Sequence, residues 1–183
     1  MWKMVVFILG SLLLIYISRA SLRTTRSHGF PRLLAWECML ALFLLNVDFW
    51  FVQPSAWHQL IGWTLLFLSL IPLGYGIHSL RTRGRPTTKR EGDAALLSFE
   101  KTTELVTSGI YRYIRHPLYC SLLLLTWGMY FKHPEITGFT LSATASIFLF
   151  FTAKADEEEC LQFFGDEYEE YMQRSKMFIP YIF

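Results

Sequence analysis

Two polar patches carry whatever chemistry this sequence can offer. One is Tyr111-Arg112-Tyr-Ile-Arg115-His116-Pro117-Leu118-Tyr119, and the other is Asp156-Glu157-Glu158-Glu159. Proline in the first turn of a helix forfeits no hydrogen bond. Arg115-His116-Pro117 therefore reads as the entry to a helix whose Leu118, Tyr119 and Cys120 N–H groups form a positive end suited to an anion. His116 can add a side-chain hydrogen bond, while Arg112 and Arg115 add charge. Four acids just past an apolar span oppose the helix macrodipole, so either the helix runs on beyond them or they meet a ligand. On a helix Asp156 shares a face with Glu159 and Cys160, whereas Glu157 and Glu158 point elsewhere. Taken singly, the cations could anchor to headgroups and the acids could be a solvated face. Brought together, they make a polar pocket at the edge of a bilayer, where a water-soluble cofactor can meet a greasy substrate.

The elements that must position them are apolar helices. Of 183 residues 52% are hydrophobic and only 17% charged, where soluble chains carry about 25% charged residues. The composition predicts a single-domain, all-α integral membrane protein. A bilayer crossing takes about 20 apolar residues, and the candidate spans are 2–17, 33–52, 60–80, 118–131 and 136–153. The first lacks a small-residue cleavage site and is expected to be retained. Glu37 and Asp48 in the second are expected near its two ends. The fourth and fifth form a short hairpin around Lys132-His-Pro-Glu135, with the fourth rising only about 21 Å. Residues 81–117 read as a linker, with a strand or short helix near 96–106. Residues 154–183 read as a cytoplasmic helical tail broken at Gly165, its aromatic side chains closing over the hairpin.

Arg19, Arg23, Arg26 and Arg32 follow the first span, and a larger basic group from Arg81 to Arg115 follows the third. Lys154, Arg174 and Lys176 lie in the tail, leaving Lys3 and Lys132 for the other side. The positive-inside rule then puts the amino terminus outside and both polar patches on the cytoplasmic side. The formal net charge of +2 lies in membrane-flanking loops and gives no reason to expect a nucleic-acid partner. Cys38, Cys120 and Cys160 have neither metal-ligand nor disulfide-framework spacing, and no metal is expected. The oligomeric state is not legible.

In its last third the chain resembles the integral-membrane methyltransferases that include isoprenylcysteine carboxyl methyltransferase and the phospholipid N-methyltransferases. The resemblance rests on Leu105-Val-Thr-Ser-Gly109-Ile-Tyr111, Arg115-His-Pro-Leu-Tyr119, Asp156-Glu157, Phe164-Gly165-Asp-Glu-Tyr168-Glu-Glu-Tyr171 and Ile179-Pro180. The family's acidic pair falls here on Asp156-Glu157, with Asp in first place, or on Glu157-Glu158 after a one-residue slip. Ser121 stands where the family often has Gly. The resemblance implies S-adenosylmethionine as cofactor and a lipophilic acceptor, an isoprenylcysteine-like carboxylate ahead of a phospholipid amine. It implies cofactor contacts at Glu104, Leu105, Val106, Tyr111, His116, Pro117, Leu118, Tyr119, Asp156 and Glu157, with Arg112, Arg115, Glu157 and Glu158 as the catalytic candidates. A carboxylate acceptor would be oriented by Arg112 or Arg115, whereas an amine would need an acid of the cluster to take its proton. The tail also resembles that of the NADPH-dependent sterol reductases, but this chain has little room for a sterol and a dinucleotide together. A non-catalytic membrane protein is the remaining alternative.

Overall fold

The computed structural model describes residues 1–19, 22, 28–85 and 100–182. Arg23, Arg26, Lys89, Arg90 and the first part of the element expected at 96–106 lie outside these residues. Six helices are described: α1 Trp2–Ser18, α2 Gly29–Asn46, α3 Trp57–Arg83, α4 Pro117–Tyr130, α5 Ile136–Phe164 and α6 Asp166–Arg174. A 3-10 turn, Val47–Phe49, prolongs α2, and another, Gly109–Arg112, precedes the Arg115 segment. No strand occurs among the described residues. Three helices, Gly29–Phe49, Trp57–Arg83 and Ile136–Phe164, have the length and apolarity to cross a membrane, and Trp2–Ser18 is a shorter apolar helix. The architecture is that of an integral membrane protein built from helices.

The helices pack as a row, α1 on α2, α2 on α5, α5 on α4 and α4 on α3. A Lys3–Asp48 ion pair of 2.6 Å sets the start of α1 beside the end of α2. Asp48 thus sits at a helix end, as expected. Glu37 does not, for it lies about two turns inside α2 and accepts a 2.6 Å hydrogen bond from Ser11 Oγ of α1. The interior between α2, α4 and α5 is filled by Ala35, Tyr119, Leu149 and Ala153 near one end and by Met39, Leu42, Met129 and Ala145 near the other.

α4 has 14 residues and would leave its last carbonyls short of the interface. Neighbouring side chains cap them instead. Asn46 Nδ2 donates to Met129 O at 2.8 Å, His58 Nδ1 to Phe131 O at 3.0 Å and Gln59 Nε2 to Lys132 O at 2.9 Å. α5, by contrast, continues eleven residues beyond the expected end at Ala153 and stops at Phe164. The acids at 156–159 therefore lie inside the helix and clear of its last turn, where the macrodipole acts. Gly165 ends it with φ +59 and ψ −134, a backbone region open essentially to glycine, and α6 turns off from there.

Candidate active site

The α4 entry is clasped by the carboxyl-terminal tail. Arg115 N–H donates to Lys176 O at 2.7 Å, His116 N–H to Met177 O at 3.2 Å and Lys176 N–H to Tyr113 O at 3.0 Å. A parallel bridge pairs Ile114 with Lys176. The Cys120 N–H, expected to be a free donor, is bonded to His116 O at 2.9 Å, as a regular helix requires. The donors of the helix end are then Leu118 and Tyr119.

Arg115 reaches from this clasp to α5. Its Nε donates to Glu157 Oε1 at 2.8 Å and its Nη2 lies 2.7 Å from the same oxygen. Its Nη1 donates to Ser175 O at 2.5 Å and Met172 O at 3.2 Å. The second Glu157 oxygen accepts from Lys154 Nζ at 3.0 Å. Glu157, predicted to point away, is in fact buried at 3% exposure, because the guanidinium supplies the partner that a buried carboxylate needs. Arg115 and Glu157 thus form a clamp joining α4, α5 and the tail.

Next to the clamp lies a cavity of about 100 Å³, room for several waters. His116 is wholly enclosed beside it, with Nδ1 3.4 Å from Asp156 Oδ2 and Nε2 3.5 Å from Glu157 Oε1. Its ring stacks on Tyr119. Burial pulls the imidazole down, but hydrogen bonds and charge from Asp156 and Glu157 outweigh this and hold its pKa above the ordinary value. An apolar side is built by Val106, Tyr111, Tyr168 and Tyr171, with Leu105 and Phe164 packed against them. Tyr171 Oη donates to Tyr111 O at 2.6 Å, and burial pushes both phenols up, so both stay neutral.

Most of the residues expected at a cofactor site converge here. Leu105, Val106, Tyr111, Arg115, His116, Pro117, Leu118, Tyr119 and Asp156 all line the cavity. Four expected residues do not line it: Glu157 is held beside it in the clamp with Arg115, and three stand apart. Arg112 is exposed, Glu158 is exposed on the outer face of α5, and Glu104 is exposed in a 2.7 Å ion pair with Arg85. The cavity adds Glu100, Glu159 and Cys160, with Leu80 of α3. The helical spacing of Asp156, Glu159 and Cys160 was the signal for the α5 wall. Behind that wall stands His28, just before α2, with its backbone N–H 2.9 Å from Glu159 Oε1 and its Nδ1 2.6 Å from Glu159 Oε2. Arg32 on α2 lies 3.3 Å from Glu100. Nothing in the local sequence of His28 or Arg32 announces either contact.

An all-helical, membrane-type fold with an acidic and histidine-containing cavity at one end defines the class. The sequence model for the phospholipid methyltransferase family matches residues 87–167. Over 126 residues the chain is 29% identical to methanethiol S-methyltransferase 1 of Bradyrhizobium diazoefficiens, an alignment covering 66% of this chain and 39% of that protein. It is 35% identical over 80 residues to protein-S-isoprenylcysteine O-methyltransferase of Schizosaccharomyces pombe, covering 43% of this chain and 34% of the other. Against the human protein-S-isoprenylcysteine O-methyltransferase it is 36% identical over 85 residues, 44% of this chain and 29% of the other. Over these stretches the chain is similar to the isoprenylcysteine methyltransferase-like membrane methyltransferases. It spans less than half the length of each of these relatives. No solved structure matches it.

Proposed function

We propose that the protein transfers a methyl group from S-adenosylmethionine to a lipophilic acceptor at the membrane–cytoplasm interface. The observation that carries this reading is the convergence of the Arg115-His116-Pro117 entry and the acidic stretch of α5 on one cavity with an aromatic side. The residues fit the cofactor's parts. Its carboxylate suits His116 and the α4 amino end, its ammonium and ribose hydroxyls suit Asp156, and its adenine suits the Val106, Tyr168 and Phe164 surface. Once bound, the cofactor supplies an electrophilic methyl group. The chain's part is to hold donor and acceptor in line and to exclude water, which can supply much of the rate. The Arg115–Glu157 clamp is a positioning device in this scheme.

Helices α1 to α5 would be the spans, the first and fourth short. Arg19, Arg81, Arg83, Arg112 and Lys154 gather at the cavity end, whereas Lys3 and Lys132 lie at the other, so the cavity would face the cytoplasm. The acceptor would enter from the bilayer, and a carboxylate of an isoprenylcysteine-like molecule is the acceptor that the sequence resemblance favours.

Calorimetry of S-adenosylhomocysteine with the detergent-purified protein tests the cofactor, with His116→Ala as control. Saturable binding to the wild type, weakened at least about tenfold in the variant, is expected for one lost charge-assisted hydrogen bond. A folded wild type that binds NADPH, or neither ligand, would sink the methyltransferase reading.

A further inference from the structure

The amino-acid end of the cofactor makes the hardest demand on the cavity, because an ammonium and a carboxylate share one carbon and must be met side by side. The cavity carries both kinds of partner close together. His116 lines it at 4% exposure and has no hydrogen-bond partner at Nε2. It also opens the α4 amino end, whose N–H groups favour an anion. Asp156 Oδ2 stands 3.4 Å from the other nitrogen of His116. Glu159, about one turn further along α5, lines the cavity as well.

The acids at this end differ in the hydrogen-bonding capacity they have left. Both oxygens of Glu157 are occupied, by Arg115 and Lys154, and Glu100 faces Arg32 at 3.3 Å. The side chains of Asp156 and Glu159 stay 20% and 21% exposed, and each of their oxygens keeps a lone pair. Glu159 is the more firmly fixed of the two. The His28 N–H donates to its Oε1 at 2.9 Å, and His28 Nδ1 lies 2.6 Å from its Oε2. His28 is fully buried and does not line the cavity, so it grips the carboxylate from behind and leaves the cavity side open.

We infer that Glu159, positioned by His28, binds the α-ammonium of the cofactor jointly with Asp156, while His116 takes the carboxylate. This rests on the methyl-transfer reading above and adds to it one binding residue and one positioning residue. One ligand atom each from His28, Asp156 and Glu159 lie within 4.8 Å of one another. An ammonium that donates bonds of about 2.8 Å along tetrahedral directions holds its acceptors about 4.6 Å apart. The two carboxylates are therefore near enough to share one ammonium.

The assignment also sets the direction of the cofactor. With the amino-acid end held at His116, Asp156 and Glu159, the adenosine end runs on along α5 towards Phe164 and Tyr168, the apolar side of the cavity. Arg115 stays with Glu157 and is asked for nothing further. His28 lies outside residues 87–167, the stretch that the family model matches. The segment leading into α2 thus completes a site whose other walls come from the second half of the chain.

The test is calorimetry on the full chain in detergent with EDTA, using S-adenosylhomocysteine and its deaminated analogue, in which hydrogen replaces only the amino group. The wild type should bind the analogue about tenfold or more weakly, as one lost charge-assisted contact requires. Glu159→Gln should weaken S-adenosylhomocysteine by a similar factor and leave the analogue within about twofold. His28→Ala should weaken S-adenosylhomocysteine about threefold or more. His28→Asn, whose amide can replace Nδ1 as donor, should restore it to within about twofold, and neither change should move the analogue. Unfolding midpoints show that the variants are folded, and the wild-type comparison of the two ligands needs no variant. Equal binding of the two ligands by the wild type, or a Glu159→Gln variant that shifts both in parallel or neither, would overturn the inference. Binding of S-adenosylhomocysteine only when EDTA is left out would overturn it too, by making His28, Asp156 and Glu159 a metal site. A wild type that binds S-adenosylhomocysteine under neither condition would instead bring down the cofactor reading itself, and this one with it.

Discussion

The two ends of the α4–α5 hairpin are built from the same kinds of residue and reach opposite outcomes. At the turn end, Asn46, His58 and Gln59 donate to the carbonyls of Met129, Phe131 and Lys132. Lys132 is fully buried with Nζ 3.2 Å from Gln59 Oε1 and 3.5 Å from the centre of the Trp63 ring. The polar groups there close the end of a short helix, and one neutral amide and an indole hold the buried Lys132 cation. At the other end, acids and bases meet in pairs around a cavity, and Asp156 and Glu159 keep lone pairs facing it. A buried polar residue is thus no sign of function by itself. What separates the two ends is capacity left over after the fold has been satisfied.

The comparison is most easily broken at Arg115. Arg115→Ala leaves Glu157 charged and buried at 3% exposure, short of its principal partner, and releases the Met172 and Ser175 carbonyls. Removing one member of a buried pair costs about 3–5 kcal/mol. A large drop in the unfolding midpoint is expected, together with loss of S-adenosylhomocysteine binding, because the clamp aligns α4 with α5. Arg115→Lys, which keeps the charge but not the fork, should fall in between. Wild-type stability in Arg115→Ala would mean that the clamp does not form.

A smaller effect is expected at the turn end. Gln59→Leu removes donors from Phe49 O at 2.7 Å and Lys132 O at 2.9 Å and the acceptor facing Lys132 Nζ. Unpaired buried groups of this kind cost about 1–3 kcal/mol. Stability should fall while S-adenosylhomocysteine affinity stays within about twofold, which chemical unfolding and calorimetry on the same preparation can separate. A parallel loss of affinity would show that the two ends are coupled.

The helices were legible because apolar blocks of span length are separated by charged loops, and the motif half of the site was legible because its spacing recurs. Proline at 117 fixed the start of α4 to within a residue. The break at Gly165 was legible, but the continuity of span and tail in one helix was not, since Asp156 to Glu159 interrupt the apolar pattern while α5 continues through them. Glu157 was misplaced because helical periodicity gave its direction but not the arginine waiting there. His28 lies more than a hundred residues from Glu159 in the chain, and no local pattern links them. The carbonyl caps from Asn46 and Gln59 are equally non-local.

The pH dependence of stability should follow the cavity histidines. Both His28 and His116 are held above the ordinary value of 6.5. A raised folded pKa means that the folded state binds protons more tightly than the unfolded one, so the stabilisation is fully present below pH 6.5. It is lost as pH rises through the folded values. The unfolding midpoint should therefore decline on passing from pH 6 to about 8, below the range in which Lys132 titrates in the unfolded chain. His28→Asn should remove part of that decline. A midpoint that rises over the same window would mean that the histidines are neutral in the fold.

The smallest effect, and the one that sharpens the contrast most, is expected from Lys132→Met. Burial brings the Lys132 pKa down from 10.5 to about 8, so the fold holds the charged form at a cost. The unfolded chain binds the proton more readily between those values, and wild-type stability should therefore rise across pH 8–10.5. Methionine fills similar volume without the charge and keeps favourable contacts with Trp50 and Trp63, while losing a cation–π contact of about 2 kcal/mol. Replacing a buried ion by a well-packed apolar residue is often neutral or better. The net change near neutral pH should be within about 1 kcal/mol, S-adenosylhomocysteine affinity should be unchanged, and the alkaline rise should disappear. The same logic applied to Arg115→Met predicts a severe defect, because there the charge answers a carboxylate that remains. If Lys132→Met were as damaging as Arg115→Ala, an acid would have to face Lys132, and the turn end would be a second charged site rather than a helix cap.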